Sequence, residues 1–318
     1  MRVHELKSAP DTELSRALKR FEQQFAYPLG IGRCFHIQHH TDYPRFFRAI
    51  GDDAMCFVAE SGARVIGVIS VAHRKILMPN GEIKQTAYIG DLKIDPASNR
   101  GRILIKLAQA AERWVKKRGT TAFGVVMDGT SAIPPQYTGR LGIPLFQEIA
   151  KIKVLQVTLP APTANTQNLI KHQSDVEIAS VCLGRLSLGS YACIGGDSDL
   201  RSDMETMWLT ASNEQACAML EDTRKAKRLI TNDGNEMCNA HLSYFAFKDL
   251  RSGVELLKVA CHLATKTRHS GLFVAIAESD ANHFLQELKD WNIIVAPATV
   301  FGIGFEKKFS WVINTAEI

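Results

Sequence analysis

The sequence predicts an α/β (α+β) protein built from two domains of similar type. The chain has 318 residues, and a domain holds roughly 150 residues, so its length suffices for two cores. Helical and extended apolar patterns alternate along it, and the order of elements that ends the first half returns in the second half. A disordered chain, a fibrous repeat and a disulfide-stabilised miniprotein are excluded by the composition, which is 46% apolar and 22% charged.

The first half alternates helices and strands. Apolar residues at helical spacing follow Asp11 and predict the first helix. Runs rich in β-forming residues, separated by turn signals such as Asn80-Gly81, predict the strands. A long one-sided apolar pattern then predicts a second helix, which follows a strand that Pro96 ends. In chain order the predicted elements are a helix at 11–24, strands at 54–60, 64–72 and 86–96, a helix at 101–118, and strands at 122–128 and 151–159.

A polar segment rich in Pro, Ala, Thr and Asn, residues 160–168, predicts the linker between the domains. We therefore place the domains at residues 1–162 and 163–318. Sliding the first long helix onto the second half matches Leu104 with Leu256, and the same order of elements surrounds both segments, which predicts two copies of one fold. The predicted elements of the second half are a strand at 238–249, a helix at 253–271, a strand at 272–279, a helix at 280–291 and a strand at 292–305.

Charge and cysteine content bear on partners and compartment. The net charge of +5 is too small to predict a nucleic-acid partner. The 7 cysteines form no Cys-x-x-Cys pair, which indicates free thiols in a reducing compartment. The cluster Cys34, His36, His39 and His40 is followed by no second ligand pair at zinc spacing, so we predict no metal. Without a long apolar run or the apolar core of a secretory signal, the expected location is the cytoplasm.

The segment 88–114 holds the residues that indicate chemistry: a strand, an Arg-Gly-Arg loop and the long helix. The first turn of such a helix offers unpaired backbone N–H groups and the positive end of the helix dipole, and both suit a phosphate. Gly101 permits a close backbone approach, and Arg100 and Arg102 add positive charge. Taken alone, such a tripeptide is more often a solvated turn, so this alternative stays open.

The order of hairpin, strand, Arg-Gly-Arg loop, long helix, apolar strand and Tyr-containing segment resembles, over residues 3–159, the GNAT family of acyl-CoA-dependent N-acetyltransferases. In that family a loop of the form Q/R-x-x-G-x-G/A before the long helix holds the CoA pyrophosphate. The resemblance implies two GNAT-like domains, each a twisted mixed β-sheet flanked by helices, and acetyl-CoA as co-substrate. The cofactor-binding residues that it implies are Leu92, Lys93, Ile94, Asn99, Arg100, Gly101, Arg102, Ile103, Leu104 and Asp128. Of the loop residues, Ser98 and Ile103 depart from the family pattern.

The same resemblance implies the catalytic residues. The strand YIGDL resembles the Y-I-E-D-L strand of polyamine acetyltransferases, with Gly90 in place of the acidic residue. Asp91 is then the first candidate for the base that deprotonates an attacking amine, with Glu60 and Asp128 as alternatives. The segment QYTGRLG resembles the region whose tyrosine protonates the departing CoA thiolate, which implies this role for Tyr137. Backbone N–H groups of the strand after Asp91 would polarise the thioester carbonyl.

The leading hypothesis is a cytoplasmic N-acetyltransferase that acts on a small-molecule or peptide amine in its first domain. The second domain is expected to be a degenerate copy, because Asp249 places negative charge beside its equivalent loop. No nucleic acid or membrane partner is expected, and the protein should be a monomer or a homodimer. Two alternatives stay open: an inactive GNAT-like protein that binds CoA or a partner protein, and a tandem-GNAT aminoacyltransferase that uses charged tRNA.

Overall fold

The computed structural model describes residues 1–28, 32, 34–51, 53–98, 100–128, 144–162, 170–173 and 176–318. Within them the helices are α1 (Thr12–Glu22), α2 (Arg45–Arg48), α3 (Arg100–Lys116), α4 (Val176–Leu186), α5 (Ser198–Arg201), α6 (Leu250–Lys266) and α7 (Glu278–Glu287). The strands of the first half are β1 (Arg2–Leu6), β2 (Tyr27–Pro28), β3 (Cys34–His39), β4 (Asp53–Ser61), β5 (Arg64–Leu77), β6 (Ile83–Ile94), β7 (Ala122–Met127) and β8 (Gln147–Thr158). Those of the second half are β9 (Ile170–Gln173), β10 (Ser190–Ile194), β11 (Met207–Ala211), β12 (Ala216–Glu221), β13 (Lys227–Thr231), β14 (Asn239–Phe247), β15 (Gly271–Ala277), β16 (Ile293–Ile303) and β17 (Ser310–Val312).

One mixed sheet runs through both halves of the chain. Its main path has the order β1-β4-β5-β6-β7-β16-β8-β15-β14-β12-β11-β9, and β10 joins it to β17 by pairing with β5. A small second sheet has the order β13-β3-β2, so it also combines strands from both halves. The α/β class predicted from the alternating patterns is confirmed by this mixed sheet and its flanking helices.

Strands from the two halves alternate in the middle of the sheet, in the order β7-β16-β8-β15. β7 of the first half pairs antiparallel with β16 of the second half, and β8 of the first half pairs antiparallel with β15 of the second. β8 and β16 lie side by side between these pairs. The proposed domains 1–162 and 163–318 therefore share one sheet, and residues 163–168 of the predicted linker lie outside the described residues.

Each half contains a parallel pair of strands joined by a helix, because parallel strands need a crossover connection. The units are β6-α3-β7 and β14-α6-β15. Asp91 in β6 and Tyr244 in β14 both have positive φ, 53° and 54°. Each lies at a register shift against the preceding neighbour in the sheet, which is a β-bulge. The same bulge in the same strand of both units is the structural counterpart of the repeat predicted from sequence.

The sheet of the first half is covered on both faces. Along β4, Met55 and Phe57 belong to the core under α3, whereas Cys56 and Val58 belong to the core under α1 and α2. This alternation is the period of two that a strand covered on both faces requires. Among the described residues, no helix combines the length and apolar composition needed to cross a membrane.

Candidate functional site

The parallel strands β6 and β7 form an open wedge. They pair at Ala87–Ala122 and Tyr88–Phe123, but β6 continues to Ile94 and β7 to Met127. Gly124 lies just past the last pair, and a Cβ built there would stand 2.6 Å from the Ile89 carbonyl oxygen. The vertex of the wedge therefore requires a glycine. β16 pairs with the other edge of β7 along its whole length and so holds the far wall in place.

Asp91 is the residue at which β6 leaves its regular ladder. Gly90 pairs with Ser70 and Lys93 pairs with Val68, so two residues of β6 stand opposite one residue of β5. The left-handed conformation of Asp91, with φ 53°, costs a non-glycine residue about 1 kcal/mol or more and is maintained by the surrounding structure. Such bulges redirect backbone and side chains, and they are frequent beside active sites.

A cleft of about 380 Å³ lies beside the first turn of α3. Three basic residues line it, Arg64 from β5 and Arg102 and Lys106 from α3. Asp95 fixes the connection between β6 and α3, because its carboxylate accepts hydrogen bonds from Ala97 N at 2.9 Å and from Ser98 Oγ at 3.0 Å. The cleft thus combines positive charge with the N-terminal end of a helix dipole, which favours an anion such as a phosphate.

Ile103, one of the two loop residues that depart from the family pattern, borders this cleft but is itself buried. Its side chain is 3% exposed and packs in the core under α3. It meets Gly67 of β5 so closely that a Cβ at Gly67 would stand 2.8 Å from Ile103 Cγ2. The side chain of Ile103 therefore anchors the first turn of α3 on the sheet.

The other predicted cofactor residues fall into three groups. Gly101 and Arg102 are exposed on the first turn of α3, and Leu104 is half-buried there. Leu92 and Ile94 are half-buried against the core under α3. Asn99 and the proposed acid Tyr137 lie outside the described residues, and of Arg100 only its place as first residue of α3 is described.

A cluster of charged and polar side chains is buried on the opposite face of the sheet, under α1. We call it the buried polar cluster; its members are Glu22, His39, Tyr43, Asp91 and Lys93. Lys93 Nζ lies 2.5 Å from Asp91 Oδ1 and 4.0 Å from Glu22 Oε1. The Tyr43 hydroxyl donates to the second Asp91 oxygen. His39 Nδ1 lies 2.5 Å from Glu22 Oε1, so a chain of polar contacts runs from the bulge to α1.

The electrostatics of this cluster keep Asp91 ionised. Burial raises the pKa of the Asp91 carboxyl, but the Lys93 ammonium, His39 and the Tyr43 hydroxyl outweigh burial and hold that pKa below its ordinary value. Burial lowers the pKa of Lys93, and Asp91 and neighbouring groups raise it well above its usual range. Tyr43 keeps its proton because burial and the Asp91 charge raise its pKa strongly. With both oxygens engaged, Asp91 is a stable anion and a weak base.

The two alternative bases have other partners. Asp128 ends the far wall of the wedge, where its Oδ1 accepts a hydrogen bond from Thr299 Oγ1 of β16 at 3.0 Å. Glu60 pairs with His4 of β1 at 2.8 Å. β5 lies between the strand of Glu60 and β6, so the structure places Glu60 away from the wedge.

A second cleft, of about 240 Å³, opens between α1 and β3; we call it the α1 cleft. It is lined by Glu22, His39 and Tyr43 of the buried polar cluster and by Arg228 of β13. Sequence reasoning found His39 only as part of a metal-like motif and did not find the others. His36 and His40 do not join His39, since their ring nitrogens contact the carbonyl oxygens of Phe25 and Arg224.

The equivalent places in the second half are filled by its own side chains. At the start of α6, the Asp249 carboxylate accepts hydrogen bonds from Arg251 N at 3.4 Å and from Ser252 N at 3.0 Å. Phe247 and Phe284 pack between β14, α6 and α7 with ring centroids 5.3 Å apart. A helix N-terminus capped by its own carboxylate is a poor site for a phosphate.

A mixed sheet that opens into a wedge between two parallel strands, with a bulge in the first strand and a helix starting after it, is typical of the GNAT-like fold. The chain shares this fold with solved structures, and it contains two β-α-β units of this kind, β6-α3-β7 and β14-α6-β15, each with a bulge in its first strand. No protein-family model matches the chain, and no curated protein sequence does.

Solved structures of acyltransferases share the fold over most of the chain. Saccharomyces cerevisiae N-myristoyltransferase with bound myristoyl-CoA is similar with a TM-score of 0.63 and 12% identity, over 99% of this chain and 82% of that one. A putative acetyltransferase from Pyrococcus horikoshii has a TM-score of 0.59 and 11% identity, over 98% and 92%. A GCN5-related N-acetyltransferase from Anabaena variabilis has a TM-score of 0.52 and 10% identity, over 95% and 72%. At these identities the similarity establishes the fold.

Proposed function

We propose that the protein is an acyl-CoA-dependent N-acyltransferase that transfers an acetyl group from acetyl-CoA to an amine in its N-terminal half. The proposal rests on the open wedge between β6 and β7 with the bulge at Asp91, together with the basic cleft at the start of α3, the helix that follows β6. A pantetheine arm is thin and can form hydrogen bonds with strand edges, so an unpaired wedge suits it, and the basic cleft suits its phosphates.

The reaction would be a direct transfer. A neutral amine attacks the thioester carbonyl, a C–N bond forms, the C–S bond breaks, and the amine loses a proton while the thiolate gains one. Backbone N–H groups after the bulge, from Leu92 to Ile94, are proposed to hold the pantetheine and to polarise the carbonyl, a role that depends on preorganised dipoles. Tyr137 is proposed to supply the proton to the thiolate, and Arg102 to bind phosphate. Asp128 would lie at the far wall of the wedge, at the end of β7.

The contacts of Asp91 determine what it can contribute. As a stable anion next to the bulge, it would offset positive charge that develops as the amine attacks. Its low pKa makes it a less effective proton acceptor than a group with a pKa near neutrality. We therefore propose that Asp91 acts through its charge, and that another group in the buried polar cluster takes the proton.

Large side chains next to the vertex of the wedge support a short acyl group. Tyr88 and Phe123, the last paired residues of β6 and β7, are 4% and 1% exposed. Their rings meet edge to face at 5.3 Å, and Trp311 lies 5.0 Å from Phe123. These rings occupy the face of the sheet opposite α3, where an acyl group that had crossed the wedge would lie. An acetyl group needs less of this space than a long chain.

The second half is proposed to support the first rather than to bind acyl-CoA itself. Asp249 already occupies the first N–H groups of α6, and β16 holds the far wall of the first wedge. β13 brings Arg228 to the α1 cleft. These contacts are consistent with a degenerate copy that shapes the acceptor side.

Titration of acetyl-CoA into the purified protein tests the proposal, with Arg102→Glu as the site variant and Arg251→Glu as its matched control. Both arginines lie on the first turn of a long helix, and the Arg251 side chain is 85% exposed. We expect the intact protein and Arg251→Glu to bind with similar affinity, and Arg102→Glu to bind at least about tenfold more weakly, the effect of losing about 1.4 kcal/mol.

The same titration with myristoyl-CoA tests the acyl group. If myristoyl-CoA binds at least ten times more tightly than acetyl-CoA, the acyl group of the proposal changes from acetyl to a long chain. Equal loss of acetyl-CoA affinity in both arginine variants would place the cofactor elsewhere. A folded parent protein that binds neither thioester would overturn the proposed function and favour the partner-binding or tRNA-dependent alternatives.

A further inference from the structure

The α1 cleft ends on a histidine held by a carboxylate. Glu22 and His39 are both buried, with side-chain exposures of 3% and 2%. Glu22 makes two contacts with His39, one from Oε1 to the ring Nδ1 at 2.5 Å and one from Oε2 to the backbone N at 3.2 Å. Two contacts from one carboxylate fix both the position of the strand residue and the plane of its ring. The pair is therefore a rigid feature of the cleft.

The contact with Glu22 also determines the tautomer of His39. An ionised carboxylate only accepts hydrogen bonds, so Nδ1 must carry the proton that it donates to Glu22. In the neutral ring Nε2 is then the acceptor. Among the described residues, His39 Nε2 is buried and has no hydrogen-bond partner. A buried ring nitrogen left without a partner carries a free-energy penalty and calls for an explanation, and a bound substrate that donates a proton to it would supply one.

The position of His39 links the cleft to the wedge. Its ring lies 4.5 Å from the ring of Tyr43, centroid to centroid, and Tyr43 donates to Asp91 at the bulge. His39 is therefore one side chain away from the strand that would hold the thioester. The charged and titratable groups that surround it are Glu22 from α1, Tyr43 before α2, Asp91 and Lys93 from β6, Tyr27 from β2, and Lys227 and Arg228 from β13.

We infer that the acceptor amine enters through the α1 cleft and that His39 Nε2 is the base that removes its proton, with Glu22 as the positioning residue. This inference rests on the proposed function. As the amine nitrogen bonds to the thioester carbon, its proton passes to Nε2, and the imidazolium that forms contacts the Glu22 carboxylate and interacts electrostatically with Asp91. These two charges stabilise the imidazolium, which returns its proton to water once the product has left. Glu22 orients the ring as the carboxylate partner of a catalytic histidine does.

The test measures CoA thiol release from acetyl-CoA with a panel of primary alkylamines, polyamines and short peptides with a free N-terminus. The variants are His39→Gln and Glu22→Gln, and the matched control is His4→Gln. His4 also pairs with a glutamate, at 2.8 Å, but on the outer strand β1. We expect His39→Gln to lower kcat by about 10²- to 10⁴-fold with acetyl-CoA affinity unchanged, and His4→Gln to match the parent. Glu22→Gln should lower kcat less and shift the acidic limb of the kcat/KM profile, a change that a purely structural contact would not produce.

A second measurement does not depend on the choice of amine. In protein labelled with ¹⁵N-histidine, the resonances absent from His39→Gln identify the His39 ring, and we expect a protonated Nδ1 and an unprotonated Nε2. A ring protonated at Nε2, or a His39→Gln variant that retains more than half of the parental kcat, would overturn the inference while leaving acetyl-CoA binding intact. If the parent binds no acyl-CoA at all, the proposed function itself fails, and the inference falls with it.

Discussion

Gly67 couples the sheet to the helix that carries the basic cleft, and replacing it gives a quantitative test of this packing. A Cβ at Gly67 would lie 2.8 Å from Ile103 Cγ2, 3.0 Å from Leu107 Cδ1 and 3.3 Å from the Lys93 carbonyl oxygen. Carbon atoms pack best at about 3.5–4.0 Å, so Gly67→Ala must displace the first turn of α3. We expect the free energy of unfolding to fall by about 1–3 kcal/mol. Acetyl-CoA binding should weaken as well, because Arg102 lies on the displaced turn.

The choice of residue at Ile103 separates this clash from a general loss of packing. Valine keeps the Cγ2 methyl group and loses only the end of the side chain, whereas leucine has no branch at Cβ. In the Gly67→Ala background, Ile103→Leu should therefore recover part of the lost stability and Ile103→Val should not. Urea unfolding followed by tryptophan fluorescence gives each free energy, and coupling of about 0.5–3 kcal/mol is typical for residues in contact. Equal recovery by leucine and valine, or a Gly67→Ala protein as stable as its parent, would refute the reasoning.

Two further predictions concern buried ionisable groups. Burial and nearby positive charge lower the pKa of His241 from 6.5 to about 3, so below pH 6.5 the unfolded chain binds a proton that the folded one does not. The free energy of unfolding should therefore fall by about 1.4 kcal/mol for each pH unit below 6.5, until pH approaches 3. Urea unfolding at pH 7 and at pH 5 measures this fall, which should be smaller in His241→Gln than in the parent protein. Equal falls in the two proteins would contradict the prediction. Glu317 contacts the buried Arg74 and Arg201, so Glu317→Gln should lower the free energy of unfolding by about 3–5 kcal/mol. Glu214 belongs to an exposed ion pair, so Glu214→Gln should change it by less than about 1 kcal/mol. A similar urea midpoint for both variants would count against a structural role for Glu317.

Elements with a long and regular apolar period could be predicted from sequence, because the pattern of apolar residues shows which face of the element is buried. The helix predicted at 101–118 is α3, Arg100–Lys116, and the hairpin predicted at 54–60 and 64–72 is β4 and β5. The pairing of strands could not be predicted in the same way. Apolar residues in β8 show that it is buried, but not that its neighbours are β15 and β16 of the other half. Periodicity describes the faces of a strand, and its edges carry no comparable signal.

The α1 cleft escaped prediction for a related reason. β3 is a short strand rich in histidine, and its neighbour β13 comes from the other half of the chain. The pattern Cys-Phe-His-Ile-Gln-His reads as a metal-like cluster or as a loop unless this partner is known. The one usable signal was the alternation along β3, which places His39 and Ile37 on the same face. Only the fold shows that Glu22 of α1 lies opposite His39.

The bulge that both β-α-β units share makes different contacts in each, and this difference supports the proposal that the reaction takes place in the first half. In the second unit the bulge residue Tyr244 donates its backbone N–H to Asn314 Oδ1 at 2.8 Å and its hydroxyl to the Gly195 carbonyl. Both groups therefore have hydrogen-bond partners, and Asp249 likewise caps the start of α6. In the second unit these polar groups stabilise the fold. In the first unit the residue at the same place is Asp91, which connects through Tyr43 and Lys93 to the cluster of His39, whose Nε2 has no hydrogen-bond partner in the part of the chain that the structure describes. Polar groups that folding leaves incompletely satisfied are the ones that a substrate can engage.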